Sequence, residues 1–365
     1  MPSVTLPAGA IHLGMDTSKN TIVAAVLMPG EKIPVTERIF NDEEAIRRLI
    51  GRFAEPGRLR ACYEAGPGGY DLYRLLASMG VACDVVAPSL IPKGSSEKVK
   101  TDKRDAVRLA LGHRAGMLTP VRVPAPAEES VRDLCRVRAA VLADRKRAQQ
   151  RLTAMLMRHG RIWRDSYWTG AHRRWVAAQT FTEPALVTAL AHYRAALEVR
   201  ETELAAIESE LAPWARREPL APVVGRLGCY RGIAELNGLT LAAEVVDWRR
   251  FAAARSFMGF TGLVPAEYSS GQKTWRGHIT KAGPEPVRTA LIEAAWAYRF
   301  RPAIGATLRA RQDGAAPDTI ARSWKAQRRL HGKYKAMTGR GKAPGEAVTA
   351  IARELAGFIW AEMTS

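Results

Sequence analysis

Residues 11–28 read IHLGMDTSKNTIVAAVLM. Apolar residues at 11–16 and again at 21–28 predict two β-strands with a short polar break between them, and the first strand ends at an acid, Asp16. Residues 35–40 (VTERIF) predict a third strand. Short polar connections between such strands are typical of an antiparallel meander.

Helices and strands alternate after the third strand. A capped helix is predicted over 42–53, and a strand over 59–64 ends at a second acid. A glycine-rich break, a helix over 72–79, a strand over 81–87 and a helix that begins near Thr101 follow. Three strands and a helix, then strand, helix, strand and helix, is the element order of a ribonuclease H-like α/β domain.

Two long helices are predicted beyond a proline-containing linker at 120–126. The first covers about 128–159, and its seam carries Arg138 and Arg145 where a plain coiled coil would have apolar residues. The second covers about 183–211 and has a leucine every seven residues. A helical hairpin, an arm that dimerises and a pair of ordinarily packed helices all fit this pattern.

The chain is strongly basic. Its 365 residues include 55 Lys and Arg against 36 Asp and Glu, a net charge of +19, and residues 221–365 hold 22 of these cations and 11 of the acids. This excess favours a polyanionic partner such as nucleic acid. No run approaches the ~18 consecutive apolar residues of a membrane span, and the N-terminus does not resemble a signal peptide. We therefore expect a cytoplasmic protein with no membrane partner.

From about residue 220 the pattern predicts short helices and glycine-rich turns. The stretch 322–342 concentrates positive charge, with Trp324 and Tyr334 between its lysines and arginines. That composition suits phosphate contacts combined with base stacking. A solvated basic surface is the alternative interpretation.

Four acids stand out by their positions on these elements: Asp16, Glu64, Asp102 and Asp105. The first two end predicted strands, and the last two are three residues apart on a predicted helix, a spacing that places side chains on one side. In a ribonuclease H-like sheet these positions converge at one edge. Carboxylates gathered there repel each other unless a cation neutralises them. Mg²⁺ prefers oxygen ligands and would grip a scissile phosphate. Lys100 and Lys103 flank Asp102, where they would hold the DNA backbone.

The most specific stretch is 259–288, GFTGLVPAEYSSGQKTWRGHITKAGPEPVR. A serine hydroxyl is a poor nucleophile until its proton is removed or the phosphate is polarised. The glycine after Ser270 allows the backbone to approach a phosphate closely, so Ser270 is the candidate nucleophile, with Ser269 as its neighbour. The cations that would hold the phosphate oxygens are Lys273, Arg276, Lys281 and Arg288. An ordinary polar turn is the alternative interpretation.

Motifs in both halves of the chain resemble those of one family. They are MDTSK at 15–19, YEAG at 63–66, KTDKRDA at 100–106, GLVP at 262–265, SG at 270–271, GHITKAG at 277–283 and Arg288. In type and order they resemble the motifs of the DEDD insertion-sequence transposases (insertion-sequence family 110 and its relatives). The resemblance covers nearly the whole chain. It implies an α/β RuvC-like domain over 1–125, a helical coiled-coil arm over 126–218 and a mostly helical C-terminal transposase domain over 219–365.

The resemblance also implies a mechanism. Asp16, Glu64, Asp102 and Asp105 would bind Mg²⁺, and Ser270 would become covalently linked to DNA during strand cleavage and exchange. A structured RNA encoded by the element (a bridge RNA) would pair with donor and target DNA. The working unit would be a homo-oligomer, a dimer or a tetramer, assembled through the arm.

Two other functions remain open. One is a metal-dependent nuclease of the junction-resolving type, in which water attacks and Ser270 only binds phosphate. The other is a non-catalytic nucleic-acid-binding protein on a decayed nuclease scaffold. Covalent attachment of DNA to the protein would distinguish the recombinase from the nuclease, and metal-dependent cleavage would exclude the non-catalytic protein.

Overall fold

The computed structural model of the protein describes residues 9–88, 91, 101–270 and 273–365, without the side chains of Tyr268, Ser269, Ser270, Lys273, Thr274 and Arg276. The chain divides into two compact units, Met1–Val123 and Pro124–Ser365, and each unit has a hydrophobic core. Within the described ranges, none of the helices combines the length and the hydrophobicity that a bilayer crossing requires.

The first unit, in its described residues, is built on a five-stranded sheet. Its strands are β1 (Ile11–Thr17), β2 (Thr21–Leu27), β3 (Val35–Phe40), β4 (Leu59–Glu64) and β5 (Ala82–Val86). They lie in the order β3-β2-β1-β4-β5. Strand β2 is antiparallel to β1 and β3, whereas β4 is parallel to β1 and β5 is parallel to β4. The predicted meander and the two later strands are confirmed.

Helices cover both faces of this sheet. Odd-numbered residues of β1 share a core with α1 (Glu43–Ile50) and α2 (Asp71–Ser78). Gly14 and Cys62, on the opposite face, lie against α3 (Asp102–Arg114). Alternate residues of a strand point to opposite faces, so burial on both sides explains why the central strands are almost continuously apolar.

Gly14 is the point of closest approach between the sheet and α3. A Cβ at this position would overlap the backbone of Ala106 and Ala110. Helix α3 runs antiparallel to β1, because His113 near the end of the helix meets His12 near the start of the strand, with ring nitrogens 3.3 Å apart. The N-terminus of α3 therefore lies at the carboxyl end of β1.

Gly14→Ala should lower the free energy of unfolding of the first unit by about 1–3 kcal/mol or more, because α3 has to move away from β1 to make room for the methyl group. Urea unfolding followed by circular dichroism would measure this change. Gly57→Ala is the matched control, since a Cβ there meets no atom within 4 Å. Equal stability of the two variants would show that α3 is not seated on β1 at Gly14.

The second unit is mostly helical in its described residues. Its elements are α4 (Pro126–Arg158), α5 (Gly170–Ala178), α6 (Pro184–Ala215), α7 (Ala221–Gly228), α8 (Glu235–Val245), α9 (Ala254–Phe260), β6 (Pro265–Ser270), β7 (Lys273–Ile279), α10 (Glu285–Ala295), α11 (Ala306–Gln312), α12 (Pro317–Gly339) and α13 (Pro344–Thr364). The core of its C-terminal part is formed by side chains from α8, α9, α10, α12 and α13.

The two long helices α4 and α6 form an antiparallel hairpin. Leu211 packs with Val131 toward one end of the pair, and Leu190 packs with Leu152 toward the other. The helical-hairpin interpretation is therefore confirmed, and the leucine face of α6 is occupied within the chain. The seam residue Arg138 pairs with a carboxylate of α6, Glu208, at 2.6 Å, so its charge is compensated inside the hairpin.

One prediction for the C-terminal region is wrong. Residues 265–279, expected to form turns and short helices, form the antiparallel hairpin β6–β7. Tyr268 stands opposite Trp275, and Ser270 stands opposite Lys273. The strands are short and contain serine, glycine and charged residues, which weaken the alternating apolar pattern by which strands are recognised.

Candidate active site

Asp16 and Glu64 occupy adjacent positions on two neighbouring parallel strands. Met15 of β1 stands opposite Tyr63 of β4, so the next residues, the two acids, lie side by side at the carboxyl ends of their strands. Both acids lie on the face of the sheet that packs against α3. Asp16 is two residues beyond Gly14 and Glu64 is two residues beyond Cys62, and residues two apart on a strand share a face. A cavity of about 1000 Å³ opens at these strand ends and is lined by both acids.

Tyr63 orders the chain that follows β4. Its hydroxyl donates a hydrogen bond to the carbonyl of Gly69 at 3.1 Å, and this bond ties the glycine-rich segment 66–69 back to the strand. Burial raises the pKa of Tyr63 above its ordinary value, so the hydroxyl remains a neutral donor at physiological pH. The segment lines the same cavity as the two acids.

Asp102 and Asp105 occupy the first turn of α3, at the same end of the sheet. They differ in environment despite their three-residue spacing. Asp105 is 5% exposed and pairs with Arg108 of the same helix. Asp102 is exposed and pairs with Arg38 of β3 at 3.1 Å. The structure thus brings Asp16, Glu64 and the start of α3 to one end of one face, with both helix carboxylates directed to arginines.

No set of three or more His, Cys, Asp or Glu side chains among the described residues stands close enough together to hold a metal ion. The donor set nevertheless suits a hard divalent cation. It consists only of carboxylate oxygens, the ligands that Mg²⁺ prefers, and its members come from one end of the sheet. The buried carboxylate of Asp105 also requires a counter-charge, which Arg108 supplies here.

Cations line the outer side of α3. A second cavity, of about 710 Å³, is bordered by Lys103, Arg104 and Arg108. Lys103 was singled out from the sequence, and Lys100 lies outside the described residues. Arg104 and Arg108 were not predicted from the sequence, although their spacing of four residues puts them on one helix face. Lys103 and Arg104, beside the acids, suit a nucleic-acid backbone, whereas Arg108 pairs with Asp105.

Ser270 is the last residue of β6 and stands opposite Lys273, the first residue of β7. The backbone of the hairpin therefore presents the serine at the distal end of its strands. The side chains of Ser269, Ser270, Lys273 and Arg276 lie outside what the structure describes, so their roles stay predictions.

The motif glycines secure the base of this hairpin. A Cβ on Gly283 would overlap the carbonyl of Phe260, and a Cβ on Gly262 would lie 2.8 Å from the nitrogen of Ala282. The backbone N–H of Lys281 donates to the carbonyl of Gly262 at 3.0 Å. Backbone packs directly on backbone here, so these glycines are required by packing between α9 and the end of β7.

Two predicted phosphate ligands have different environments at this base. Arg288 is half-buried, and its guanidinium donates to the carbonyls of Gly283 at 3.0 Å and Thr261 at 3.5 Å. It therefore braces the hairpin, and its contact with phosphate stays a prediction. Lys281 is exposed and adopts a φ of 54°, a left-handed conformation uncommon outside glycine.

Comparison with known proteins places both halves of the chain in one family. A model of the IS110-type DEDD transposase domain, described as a transposase, matches residues 13–160, and a model described as "Transposase IS116/IS110/IS902 family" matches residues 226–308. The Sinorhizobium fredii protein y4qE, which carries a provisional transposase name, is 42% identical over 356 residues, 96% of this chain and 87% of the relative. The chain belongs to the IS110 family of insertion-sequence transposases.

A second relative extends this agreement. The transposase for insertion sequence element IS1533 of Leptospira borgpetersenii is 33% identical over 331 residues, 89% of this chain and 96% of the relative. The transposase is therefore an enzyme that acts on DNA. All four candidate acids fall within the first matched range and Ser270 falls within the second, so both parts of the candidate site belong to the matched regions.

Proposed function

We propose that this transposase breaks and rejoins DNA strands through a covalent phosphoserine intermediate at Ser270, with Mg²⁺ held by Asp16, Glu64, Asp102 and Asp105. The observation that supports the proposal is the position of Asp16, Glu64 and the first turn of α3 at the same end of one face of the sheet. The order β3-β2-β1-β4-β5, with only β2 antiparallel among the five described strands of this sheet, supports the ribonuclease H-like, RuvC-like assignment of the first unit.

The carboxylates would act as ligands held by rigid elements. Mg²⁺ bound there supplies charge stabilisation to the phosphate during the displacement. Asp16 and Glu64 would bind from strand ends whose positions the sheet maintains. Asp102 and Asp105 would exchange their arginine partners for the ion. Arg38 and Arg108, the arginines so released, would then be available for DNA phosphate oxygens.

The serine would carry the covalent chemistry. The hydroxyl of Ser270 loses its proton to solvent or a base, and its oxygen bonds to the phosphorus of the scissile phosphodiester. The bond from that phosphorus to the leaving deoxyribose oxygen breaks, and this oxygen takes up a proton. The hydroxyl of a second DNA end then attacks the phosphoserine, which forms the new phosphodiester and returns the serine hydroxyl.

In this proposal the chain has three domains and acts together with partner molecules. The domains are a RuvC-like domain over 1–125, a helical arm over 126–218 and a transposase domain over 219–365. An element-encoded guide RNA would pair with donor and target DNA, and a homo-oligomer would be the working unit. Sequencing the RNA that co-purifies with the protein tests the guide, because a DNA-only enzyme would carry no defined transcript.

The chemical test is detection of a DNA–protein adduct. The purified transposase, with its co-purified RNA, is incubated with end-labelled element DNA in Mg²⁺ and analysed on a denaturing gel. We expect labelled DNA that migrates with the protein and is released by protease, and we expect chelation of the metal to abolish it. Cleaved DNA without any adduct would identify a nuclease that uses water, and absence of cleavage would support a non-catalytic binding protein.

A further inference from the structure

A pair of exposed aromatic rings follows α10. Trp296 is 37% exposed and Phe300 is 54% exposed. Arg299 lies between them, with its guanidinium carbon 5.6 Å from the centre of the Trp296 ring and 4.6 Å from that of Phe300. The rings are therefore held at the surface by a cation rather than buried. Flat rings interleaved with arginine are the groups on which nucleic-acid bases stack.

An outer row of cations runs along α12. Lys325, Arg328 and Lys335 are exposed and follow one another at helical spacing. None of the three has a carboxylate within ion-pair distance among the described residues. Cations on the side facing α13 differ, since Arg329 and Lys333 both pair with Glu354. The fold thus neutralises one side of α12 and leaves this outer row available to an external anion.

The segment that carries the two aromatic rings packs against α12. The ring nitrogen of His331 on α12 donates to the carbonyl of Tyr298, at 3.1 Å. The side-chain oxygen of Gln327 accepts from the backbone N–H of Ala303 at 3.2 Å. These two bonds hold α12 alongside the segment 296–303. Arg328 of the outer row is the residue that follows Gln327.

A further cation is fixed to the same segment. Arg231, in the connection between α7 and α8, donates from its guanidinium to the carbonyl of Arg301 at 2.7 Å. Arg301 itself is exposed. Cations from three separate stretches of the second unit therefore lie in or next to the segment 296–303, which carries the two rings.

We infer that Trp296, Phe300 and the outer row of α12 bind an unpaired stretch of DNA strand. The bases would stack on the two rings, and the phosphates would lie along Lys325, Arg328 and Lys335. A duplex does not fit this arrangement equally well, because its base faces are already stacked on one another, whereas an unpaired strand offers them. The inference rests on the proposed function only in taking DNA as the polymer.

The test measures binding of the full-length transposase to labelled single-stranded and duplex DNA of about 20 nucleotides, by fluorescence anisotropy in the absence of divalent metal. Phe300→Ala should weaken single-strand binding about tenfold and leave duplex binding within about twofold, since only unpaired bases stack on the ring. Phe300→Leu retains apolar bulk but lacks the flat face, so it should show the same loss. Phe40→Ala removes an aromatic ring of the first unit that is 70% exposed and should change neither affinity.

A matched pair of variants tests the phosphate contacts. Arg328→Gln should lower the salt dependence of single-strand binding by about 0.7 in log–log slope, the amount expected for one phosphate contact. Arg329→Gln removes the same charge one residue away, from the side paired with Glu354, and should leave the slope unchanged. Identical slopes for the two variants would overturn the outer row as a phosphate contact.

Three outcomes would overturn the inference as a whole. They are unchanged single-strand affinity in both Phe300 variants, an equal loss for duplex, and RNA of the same sequence binding at least about tenfold more tightly than DNA, which would assign the surface to RNA. Binding without metal requires neither Ser270 nor strand cleavage. A negative result in the single-strand binding test therefore does not affect the adduct test. A negative result in the adduct test likewise does not affect the binding test.

Discussion

Ser270→Ala is expected to abolish strand exchange and the DNA–protein adduct, while DNA binding stays within about twofold of the parent. Loss of the hydroxyl removes the oxygen that would bond to phosphorus. Attack by a water molecule in its place would not link the DNA to the protein. Ser270 is the last residue of β6 and stands opposite Lys273, so the substitution falls at the end of the strand. Labelled element DNA, assayed for adduct, cleavage and exchange in parallel, measures each step separately.

Ser269→Ala is the matched control for this prediction. It removes the same atoms one residue earlier on the same strand. We expect it to retain most of the adduct. Exchange that persists in Ser270→Ala but disappears in Ser269→Ala would transfer the nucleophile to Ser269. Persistence in both variants would remove the serine segment from the chemistry.

Asp16→Asn is expected to reduce metal-dependent cleavage on the order of 10²–10³-fold, the scale observed when one electrostatic stabiliser of a transition state is removed. Asn keeps the size of the side chain and removes the negative charge that would bind the ion. Asp16 lies beside Glu64 at the carboxyl ends of two paired strands, so the change falls next to a second acid of the proposed ligand set. Cleavage rates across a Mg²⁺ titration measure it.

Asp42→Asn provides a control in the same cavity. Asp42 lines that cavity and caps α1 by accepting a hydrogen bond from the N–H of Ala45 at 2.7 Å. Asn caps helices about as well as Asp, so this variant loses the same charge without loss of the helix. We expect nearly parental cleavage from it. Calorimetric titration with Mn²⁺ adds a readout independent of activity, and unchanged ion affinity in Asp16→Asn would remove Asp16 from the ligand set.

The first unit was predictable because its signals are local. Apolar strand segments such as 11–16 and 21–28, bounded by polar breaks, are recognisable within a few residues. An acid at the end of a strand lies at that end of the sheet, whichever strands are its neighbours. Asp16 and Glu64 could therefore be selected before the strand order was known. The parallel pairing of β1 with β4 then placed them side by side.

Other features depended on residues distant in the chain. The hairpin β6–β7 has a weak strand pattern of its own, and its base is secured by contacts of Gly262 and Gly283 with other segments. Arg288 was expected at a phosphate, yet it braces that base through two backbone carbonyls. A motif shows which residues recur together, but it does not separate a residue that binds substrate from one that supports the loop.

Periodicity, charge and motif spacing therefore established the element order, the basic character and the acids and serine proposed for the chemistry. Folding decided which charges remain available: Glu208 compensates Arg138 and Glu354 compensates Arg329, whereas Arg328 has no such partner among the described residues. The physical reason is range. Backbone propensity and side-chain alternation act over a few residues, but neutralisation of a charge depends on which side chains the fold brings within about 4 Å of it.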